Sequence, residues 1–183
     1  MLVGRRTNLD ITTAIDFDTD WQKNMRAAAE KDGVLAAETL IDYFLFPSNR
    51  LKDIPALRIG RPGIDNILLY WARKKEKMDL IEATADVEVV HQNHDYAYFP
   101  GGQPAMYSGK DRDINFALGG GSYRHLFSIA ECNLKLKNGV LMRKHGIRYY
   151  ASKRYIFDIL PVMHPFFTFV IPLQSFIRNF KRR

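Results

Sequence analysis

The segment HQNHD could bind a metal ion, because it brings two imidazoles and a carboxylate close together. His91, His94 and Asp95 follow directly after the strand-like run VEVV. Residues three apart in an extended strand point to opposite faces, so the two imidazoles converge only if the chain turns after His91. Imidazole and carboxylate ligands together suit a divalent transition metal such as Mn²⁺. The alternative is a histidine at the end of a strand, followed by a polar loop.

A second chemical pattern lies in the segment GRPGIDN, at the start of a candidate helix. Gly60 and Gly63 let the backbone turn tightly into this helix, whose free N–H groups attract anions, and Arg61 adds a positive charge beside them. Asp65 is a candidate general base, since a carboxylate at the rim of a pocket can take the proton from an attacking hydroxyl. The alternative is a Gly-Pro turn in which the aspartate occupies the first helical turn because the helix dipole favours it.

Aromatic residues are concentrated just beyond the two histidines. They are Tyr96, Tyr98, Phe99 and Tyr107. Aromatic faces combine apolar area with a polar tip, so this group could stack on sugar rings. It could equally pin a long loop to the body of the protein, and the sequence leaves both interpretations open.

Three helices are predicted around these segments. Thr19 is a candidate N-cap for a helix that ends at Gly33. Apolar residues recur at helical spacing from Ile64 onwards and predict a second helix, which carries the GRPGIDN segment at its start. A shorter helix is predicted from about Asp111 to the triple glycine that begins at Gly119.

The strand signals are short and scattered. MLVG is typical of the end of a strand, and the apolar run TLIDYFLFP predicts a buried strand that Pro47 stops. DLIEATADVEVVH predicts one or two short strands. The pair Asn138-Gly139 between alternating segments predicts a hairpin. Residues 93–110 contain two prolines and several glycines and predict an ordered loop.

The composition favours one domain with a basic appendage. A chain of 183 residues can build one sizeable core, and its single cysteine excludes both an internal disulfide and a zinc site built from cysteines. Residues 1–140 carry 18 Lys and Arg against 19 Asp and Glu, whereas residues 141–183 carry 9 against one. The excess positive charge therefore belongs to the C-terminal segment. This distribution argues against a nucleic-acid groove across residues 1–140.

Residues 141–183 are predicted to form a basic, aromatic helical tail. Basic clusters flank the apolar stretch from Tyr155 to Ile177, which Asp158, His164 and prolines interrupt. This arrangement is typical of an anchor at the surface of an anionic membrane. The alternative is a helix packed on the body with a solvated basic end. We expect a cytoplasmic protein, and the membrane interpretation adds peripheral contact with the inner face of the cytoplasmic membrane.

Taken in order, five stretches resemble the later, acceptor-side half of bacterial GT-A-type glycosyltransferases, the nucleotide-diphospho-sugar transferases. They are VGRRTNLDI, DYFLFP, IPALRIGRPGIDNILLYWARKK, LIEATADVEVVHQNHDYAY and GG…INFALGGG. The resemblance implies an α/β fold in which a mixed sheet is flanked by helices. It assigns residues 1–140 to this half-domain and leaves residues 141–183 outside it.

The resemblance implies transfer of a sugar from a nucleotide-sugar donor to a hydroxyl of a carbohydrate or lipid-linked acceptor, in surface polysaccharide or glycolipid synthesis. Asp65 becomes the candidate catalytic base. The candidate substrate contacts are Arg61, Asn66, Gly60, Gly63 and Tyr96. The candidate ligands of Mn²⁺ or Mg²⁺, which would neutralise the departing diphosphate, are His91, His94 and Asp95.

The sequence also departs from that family. GT-A enzymes bind the nucleotide on an N-terminal Rossmann-like half that ends in an Asp-x-Asp metal motif, and the sequence begins after that point. We therefore expect either a separate polypeptide that supplies the donor half or a truncated product. Ile64 and Ile67, not an aromatic residue, flank the Asp65-Asn66 pair. Two other functions stay open: a metal-dependent hydrolase that uses the HQNHD cluster, and a non-catalytic protein that interacts with a membrane surface.

Overall fold

The computed structural model describes residues 1–146. Residues Met1–Lys144 belong to one folding unit. Of the predicted helical tail, residues 141–183, the helical prediction is wrong for residues 141–143, which belong to the strand Val140–Arg143. Residues 147–183 lie outside the described residues. Within residues 1–146, every helix is too short or too polar to cross a membrane.

The described residues combine short strands with helices. The strands are β1 (Leu2–Val3), β2 (Thr7–Leu9), β3 (Val34–Leu35), β4 (Phe44–Leu45), β5 (Ile81–Glu82), β6 (Val90–Gln92), β7 (Leu134–Lys137) and β8 (Val140–Arg143). The helices are α1 (Trp21–Asp32), α2 (Ile64–Lys74), α3 (Gly102–Ser108) and α4 (Lys110–Leu118). The fold is therefore mixed α/β, as the sequence predicts.

The strands form two small mixed sheets, where the sequence analysis predicts one. The larger sheet has the order β4-β1-β5-β7-β8, with parallel pairing of β1 to β5 and of β5 to β7 and antiparallel pairs at both edges. The smaller sheet has the order β3-β2-β6, in which β2 and β6 are parallel. The same two chain segments cross both sheets, because β1 leads into β2 and β5 leads into β6. Gly4 lies at the break, where Tyr43 packs so closely that a Cβ atom would not fit.

The hydrophobic core lies between α2 and the larger sheet. It is built from Met1, Val3, Ile41, Leu51, Leu69, Ala72, Met78, Leu80, Phe127, Ile129 and Cys132, all buried. Burial of one large apolar side chain is worth about 1.5 to 3 kcal/mol. The helix contributes Leu69 and Ala72, which lie three apart on one face. This face fixes α2 against the sheet and so fixes where its first turn lies.

Asn115 on α4 holds the segment that leads into α2. The side chain is fully buried, its Oδ1 accepts a hydrogen bond from the Arg58 N–H at 2.6 Å, and its Nδ2 donates to the carbonyl oxygens of Arg58 at 3.0 Å and Pro62 at 3.4 Å. Two glycines complete the entry, since Gly60 and Gly63 have φ angles of 70° and 90° that other residues rarely adopt. The start of α2 is thus anchored by side-chain bonds and by backbone conformation together.

Several predicted elements are confirmed. The helices α1, α2 and α4 lie where the sequence predicts them, and Gly33 and Gly119 follow α1 and α4 directly. Asn138 and Gly139 both have positive φ angles and join β7 to β8 as a hairpin. Asp86 accepts hydrogen bonds from both turn N–H groups, at 2.8 and 2.7 Å. This contact ties the hairpin turn to the segment between β5 and β6.

Three local predictions are wrong. Asp20, not Thr19, occupies the N-cap position of α1, because the Thr19 hydroxyl donates to the Asp16 carbonyl instead. The run TLIDYFLFP forms only the two-residue strand β4, which lies at a sheet edge and leaves Leu45 58% exposed. Residues 93–110 are not a loop throughout, since α3 begins after Gly101 and accommodates Pro104 in its first turn.

We expect the substitution Asn115→Asp to lower the free energy of unfolding by about 2 to 4 kcal/mol at pH 8. The new carboxylate keeps an acceptor for the Arg58 N–H but places negative charge against two carbonyl oxygens that now receive hydrogen bonds. The loss should shrink at pH 5, where protonation restores a donor. Urea unfolding followed by circular dichroism measures both values.

The exposed residue Asn93 provides the matched control. The substitution Asn93→Asp makes the same chemical change at the surface, and we expect it to alter stability by less than about 0.5 kcal/mol. Equal effects of the two substitutions would show that Asn115 does not anchor the entry to α2.

Candidate functional site

A cleft of about 570 Å³ opens beside the first turn of α2. Its walls come from the entry to α2, the segment before β4, the residues at and after β6, and the helices α3 and α4. The sequence candidates that line it are Gly60, Arg61, Gly63, Asp65, Asn66, His91, His94 and Tyr96. The structure therefore brings the GRPGIDN and HQNHD segments to one cleft.

Asp65 lies at the point where the buried face of α2 reaches the cleft. It precedes Leu69 by four residues and Ala72 by seven, so its side chain continues the helix face that packs on the core. The pKa of this carboxyl is raised from 3.8 to about 6, chiefly by burial and to a smaller extent by the nearby charge of Asp42. Backbone N–H groups of Asn66 and Ile41 oppose the shift, and the Ile41 contact is long at 3.5 Å. A carboxyl with this pKa accepts a proton readily near neutral pH.

Asn66 and Arg61 line the cleft with their polar groups already engaged. The Nδ2 of Asn66 donates to the carbonyl oxygens of Phe127 at 2.7 Å and Thr39 at 3.3 Å. Arg61 pairs with Asp111 at 3.3 Å and lies over the ring of Phe99, with its guanidinium carbon 5.0 Å from the ring centre. Both residues stabilise the cleft wall, and Arg61 presents a fixed positive charge that Asp111 partly neutralises.

His91 is held by a carboxylate that the sequence analysis does not identify. Its Nδ1 lies 2.8 Å from Oδ2 of Asp42, and Nη1 of Arg6 lies 2.6 Å from both oxygens of that carboxylate. Arg6 is oriented in turn by Asn8, whose Oδ1 accepts from the Arg6 Nε at 2.9 Å. Parallel pairing of β2 with β6 places Asn8 opposite His91 and so brings this chain together.

His94 lies among aromatic rings. The chain turns after β6, so the His91 and His94 ring centres are 5.5 Å apart, and the Tyr96 ring centre lies 4.3 Å from that of His94. Tyr98 and Tyr107 also line the cleft. Burial raises the pKa of the Tyr107 hydroxyl, and its hydrogen bond with Tyr96 and the nearby Asp65 carboxyl add to the rise. Of the aromatic residues predicted near the histidines, the three tyrosines line the cleft, whereas Phe99 lies outside the lining and packs against Arg61.

Asp95 does not join the two imidazoles. It is exposed, lies outside the cleft lining, and its Oδ1 accepts a hydrogen bond from the Ala97 N–H at 2.9 Å. Within residues 1–146, no three His, Cys, Asp or Glu side chains are grouped so that they could hold a metal ion. The described side chains alone therefore do not fit the predicted Mn²⁺ or Mg²⁺ site.

Arg6 and Asp42 are the cleft residues that sequence reasoning missed. Asp42 carries one local signal, since it is an acid inside the apolar run TLIDYFLFP. Arg6 carries none, because its place beside the cleft follows from strand pairing over more than 80 residues. Both side chains are mostly buried, with 13% of Arg6 and 28% of Asp42 exposed.

No protein-family model matches the chain, and no curated protein or solved structure matches it. The chemistry of the cleft and the resemblance carried by the five quoted stretches are the basis for the function proposed below.

We expect the substitution Asp65→Asn to raise the free energy of unfolding by about 1 to 3 kcal/mol at pH 7.5. The folded protein raises the pKa of this carboxyl from 3.8 to about 6, so it binds the proton more tightly than the unfolded chain does. Stability contributed by this group is complete below pH 3.8 and is lost as the pH rises through about 6. The gain from the substitution should therefore disappear towards pH 4.

Thermal and urea unfolding between pH 4 and pH 8 measure this difference. The matched control is Asp113→Asn, which removes an exposed carboxylate from the first turn of α4 and should give no gain. If the Asp65→Asn protein and the wild-type protein have the same stability at every pH, Asp65 is not a buried carboxyl that binds its proton tightly.

Proposed function

We propose that the protein is a glycosyltransferase of the GT-A type, whose cleft binds the hydroxyl-bearing acceptor and whose general base is Asp65. The observation that carries this proposal is the carboxyl of Asp65, which faces a cleft with aromatic walls and has a pKa raised to about 6. A base with a pKa near the working pH combines a large ionised fraction with a useful affinity for the proton.

The proposed reaction is displacement at the anomeric carbon of a nucleotide sugar. The acceptor oxygen attacks this carbon while its proton moves to the carboxylate of Asp65. The bond between the anomeric carbon and the diphosphate oxygen breaks, and its electron pair leaves with the nucleoside diphosphate. Release of the proton to solvent then returns Asp65 to its ionised form.

The aromatic wall supports a carbohydrate as the acceptor. Tyr96, Tyr98 and Tyr107 line the same cleft as Asp65, and aromatic faces stack on the apolar faces of sugar rings. Their hydroxyl tips add hydrogen-bonding groups that suit a polyhydroxylated ligand. Arg61 contributes positive charge to the same cleft, which suits an acceptor or donor that carries phosphate.

The donor side of the reaction is a further part of this proposal. By the resemblance, the described residues correspond to the acceptor-side half of a GT-A domain, in which the other half binds the nucleotide-sugar donor. Mn²⁺ or Mg²⁺ would then be bound by oxygen atoms of the donor-binding half and of the diphosphate, because the described residues by themselves do not form a metal site. Peripheral contact with the membrane depends on residues outside the described part of the chain and stays a prediction.

A metal-dependent hydrolase receives less support from the same geometry. That function needs His91, His94 and Asp95 to converge on one ion, whereas the Asp95 carboxylate accepts a backbone hydrogen bond outside the cleft. A base aimed at an acceptor hydroxyl requires only Asp65, which does line the cleft.

We expect the substitution Asp65→Asn to lower kcat by about 10² to 10⁴ while KM for the acceptor changes little. The amide keeps the size of the side chain but cannot take the proton from the hydroxyl. The assay combines the full-length chain with a panel of nucleotide sugars, a panel of carbohydrate acceptors and Mn²⁺ or Mg²⁺, and detects the product by mass spectrometry.

The substitution Asp95→Asn is the matched control, because Asp95 lies outside the cleft and should leave kcat unchanged. Turnover by the Asp65→Asn protein at the wild-type rate would show that another group accepts the proton.

We expect the double substitution Tyr96→Ala and Tyr107→Ala to weaken binding to carbohydrate ligands by at least about fivefold, since stacking on an aromatic ring is worth about 0.5 to 1.5 kcal/mol per ring. A glycan array probed with the labelled full-length chain measures this effect. Phe17→Ala is the control, because this exposed ring lies away from the cleft and packs on Trp21. Unchanged glycan binding by the double variant would contradict the proposed acceptor wall.

A further inference from the structure

His91 lies at the end of a hydrogen-bonded chain that starts at the mostly buried side chain of Arg6. Arg6 contacts both oxygens of Asp42 at 2.6 Å, and Oδ2 of Asp42 lies 2.8 Å from Nδ1 of His91. The three side chains are between 13% and 28% exposed, and all three line the cleft. They come from three separate segments of the chain, so only the folded protein assembles them.

At pH 8 the contact between His91 and Asp42 is a hydrogen bond of a neutral imidazole, because the pKa of His91 lies below its ordinary value of 6.5. Burial lowers the pKa of His91, and the positive charge of Arg6 and the neighbouring His94 lower it further. Asp42 opposes these effects, but its carboxylate is already paired with Arg6. The imidazole next to this carboxylate is therefore uncharged at pH 8.

A neutral imidazole carries one proton, and the geometry determines which nitrogen holds it. A carboxylate can only accept hydrogen bonds, so the nitrogen that faces Asp42 must be the donor. That nitrogen is Nδ1. The second nitrogen, Nε2, lies on the far side of the ring and keeps its lone pair.

We propose that Asp42 and Arg6 are positioning residues that fix His91 in the Nδ1-protonated tautomer, so that Nε2 offers the cleft a permanent hydrogen-bond acceptor for a ligand hydroxyl. The class of ligand rests on the proposed function, whereas the tautomer rests on the contacts of Arg6, Asp42 and His91 alone. Asp65 then takes the proton of the attacking hydroxyl, and His91 orients the acceptor through a different hydroxyl without taking part in proton transfer.

This arrangement has a consequence for specificity. A site built to accept a hydrogen bond from a hydroxyl rejects a ligand that lacks it, because the acceptor is then left without a partner. An acceptor nitrogen also repels carbonyl and phosphate oxygens, which carry lone pairs of their own. The His91 side of the cleft therefore selects a hydroxyl, while the Arg61 side favours anionic groups.

The tautomer of His91 is measurable without any ligand. Long-range ¹H–¹⁵N correlation spectra of the full-length chain, labelled with ¹⁵N-histidine and recorded at pH 8, distinguish a protonated ring nitrogen from an unprotonated one. We expect His91 of the wild-type protein to carry its proton on Nδ1, with Nε2 in the chemical-shift range of an unprotonated nitrogen. The substitution His91→Gln assigns the signals.

The substitution Asp42→Asn should reverse this tautomer. The guanidinium of Arg6 can only donate, so it attracts the amide oxygen of the new side chain and turns the amide nitrogen towards His91. Facing a donor, Nδ1 must keep its lone pair, and the proton moves to Nε2. The control is Asp79→Asn, which alters an Asp–Arg pair with Arg73 outside the cleft lining and should leave the His91 signals unchanged.

Two outcomes would overturn the proposal. One is a wild-type spectrum in which His91 carries the proton on Nε2 or exchanges between both tautomers, and this measurement needs no variant to fold. The other is an Asp42→Asn spectrum with the wild-type tautomer. Neither outcome depends on sugar transfer. The spectra test whether Asp42 and Arg6 fix the tautomer of His91, and the transfer assay tests the glycosyltransferase assignment separately.

Discussion

The packing of one face of α2 against the larger sheet is the constraint on which the cleft depends. Leu69 and Ala72 are fully buried on this face, and Asp65 continues it by one turn at the helix start. The helix cannot rotate to expose Asp65 fully without exposing Leu69 as well. The core therefore holds a carboxyl in a partly desolvated position, and its pKa rises because burial disfavours its charged form.

The cleft contains one carboxyl whose charge lowers the stability of the folded protein, and two nearby carboxyls whose charges are paired with arginines. An ionised Asp65 is unfavourable where water is partly excluded, whereas Asp42 and Asp111 are paired with Arg6 and Arg61. Proteins tolerate such an unfavourable charge where function requires it, and a perturbed pKa in a cleft is a recognised sign of a functional site. Asp65 differs chemically from Asp42 and Asp111, because backbone N–H groups rather than an arginine oppose its negative charge.

The two sheets assemble the cleft from distant parts of the chain. The parallel pair of β2 and β6 brings Arg6 and Asn8 beside His91, and the turn after β6 then brings His94 back towards His91. The entry to α2 is fixed separately by the buried amide of Asn115. Strand pairing thus places the imidazoles, helix packing places the carboxyl, and the two meet across the same cleft.

The sequence by itself determined the local elements and most of the candidate residues, because helical spacing, glycine turns and the Asn138-Gly139 pair act over short distances. It also placed Asp65 and the two histidines among the functional candidates. Only the tertiary structure decided that Asp95 stays outside the cleft, that α3 occupies part of a predicted loop, and that Arg6 and Asp42 hold His91. The reason is physical: these outcomes depend on strand pairing and burial between residues far apart in the chain, and no local pattern encodes those contacts.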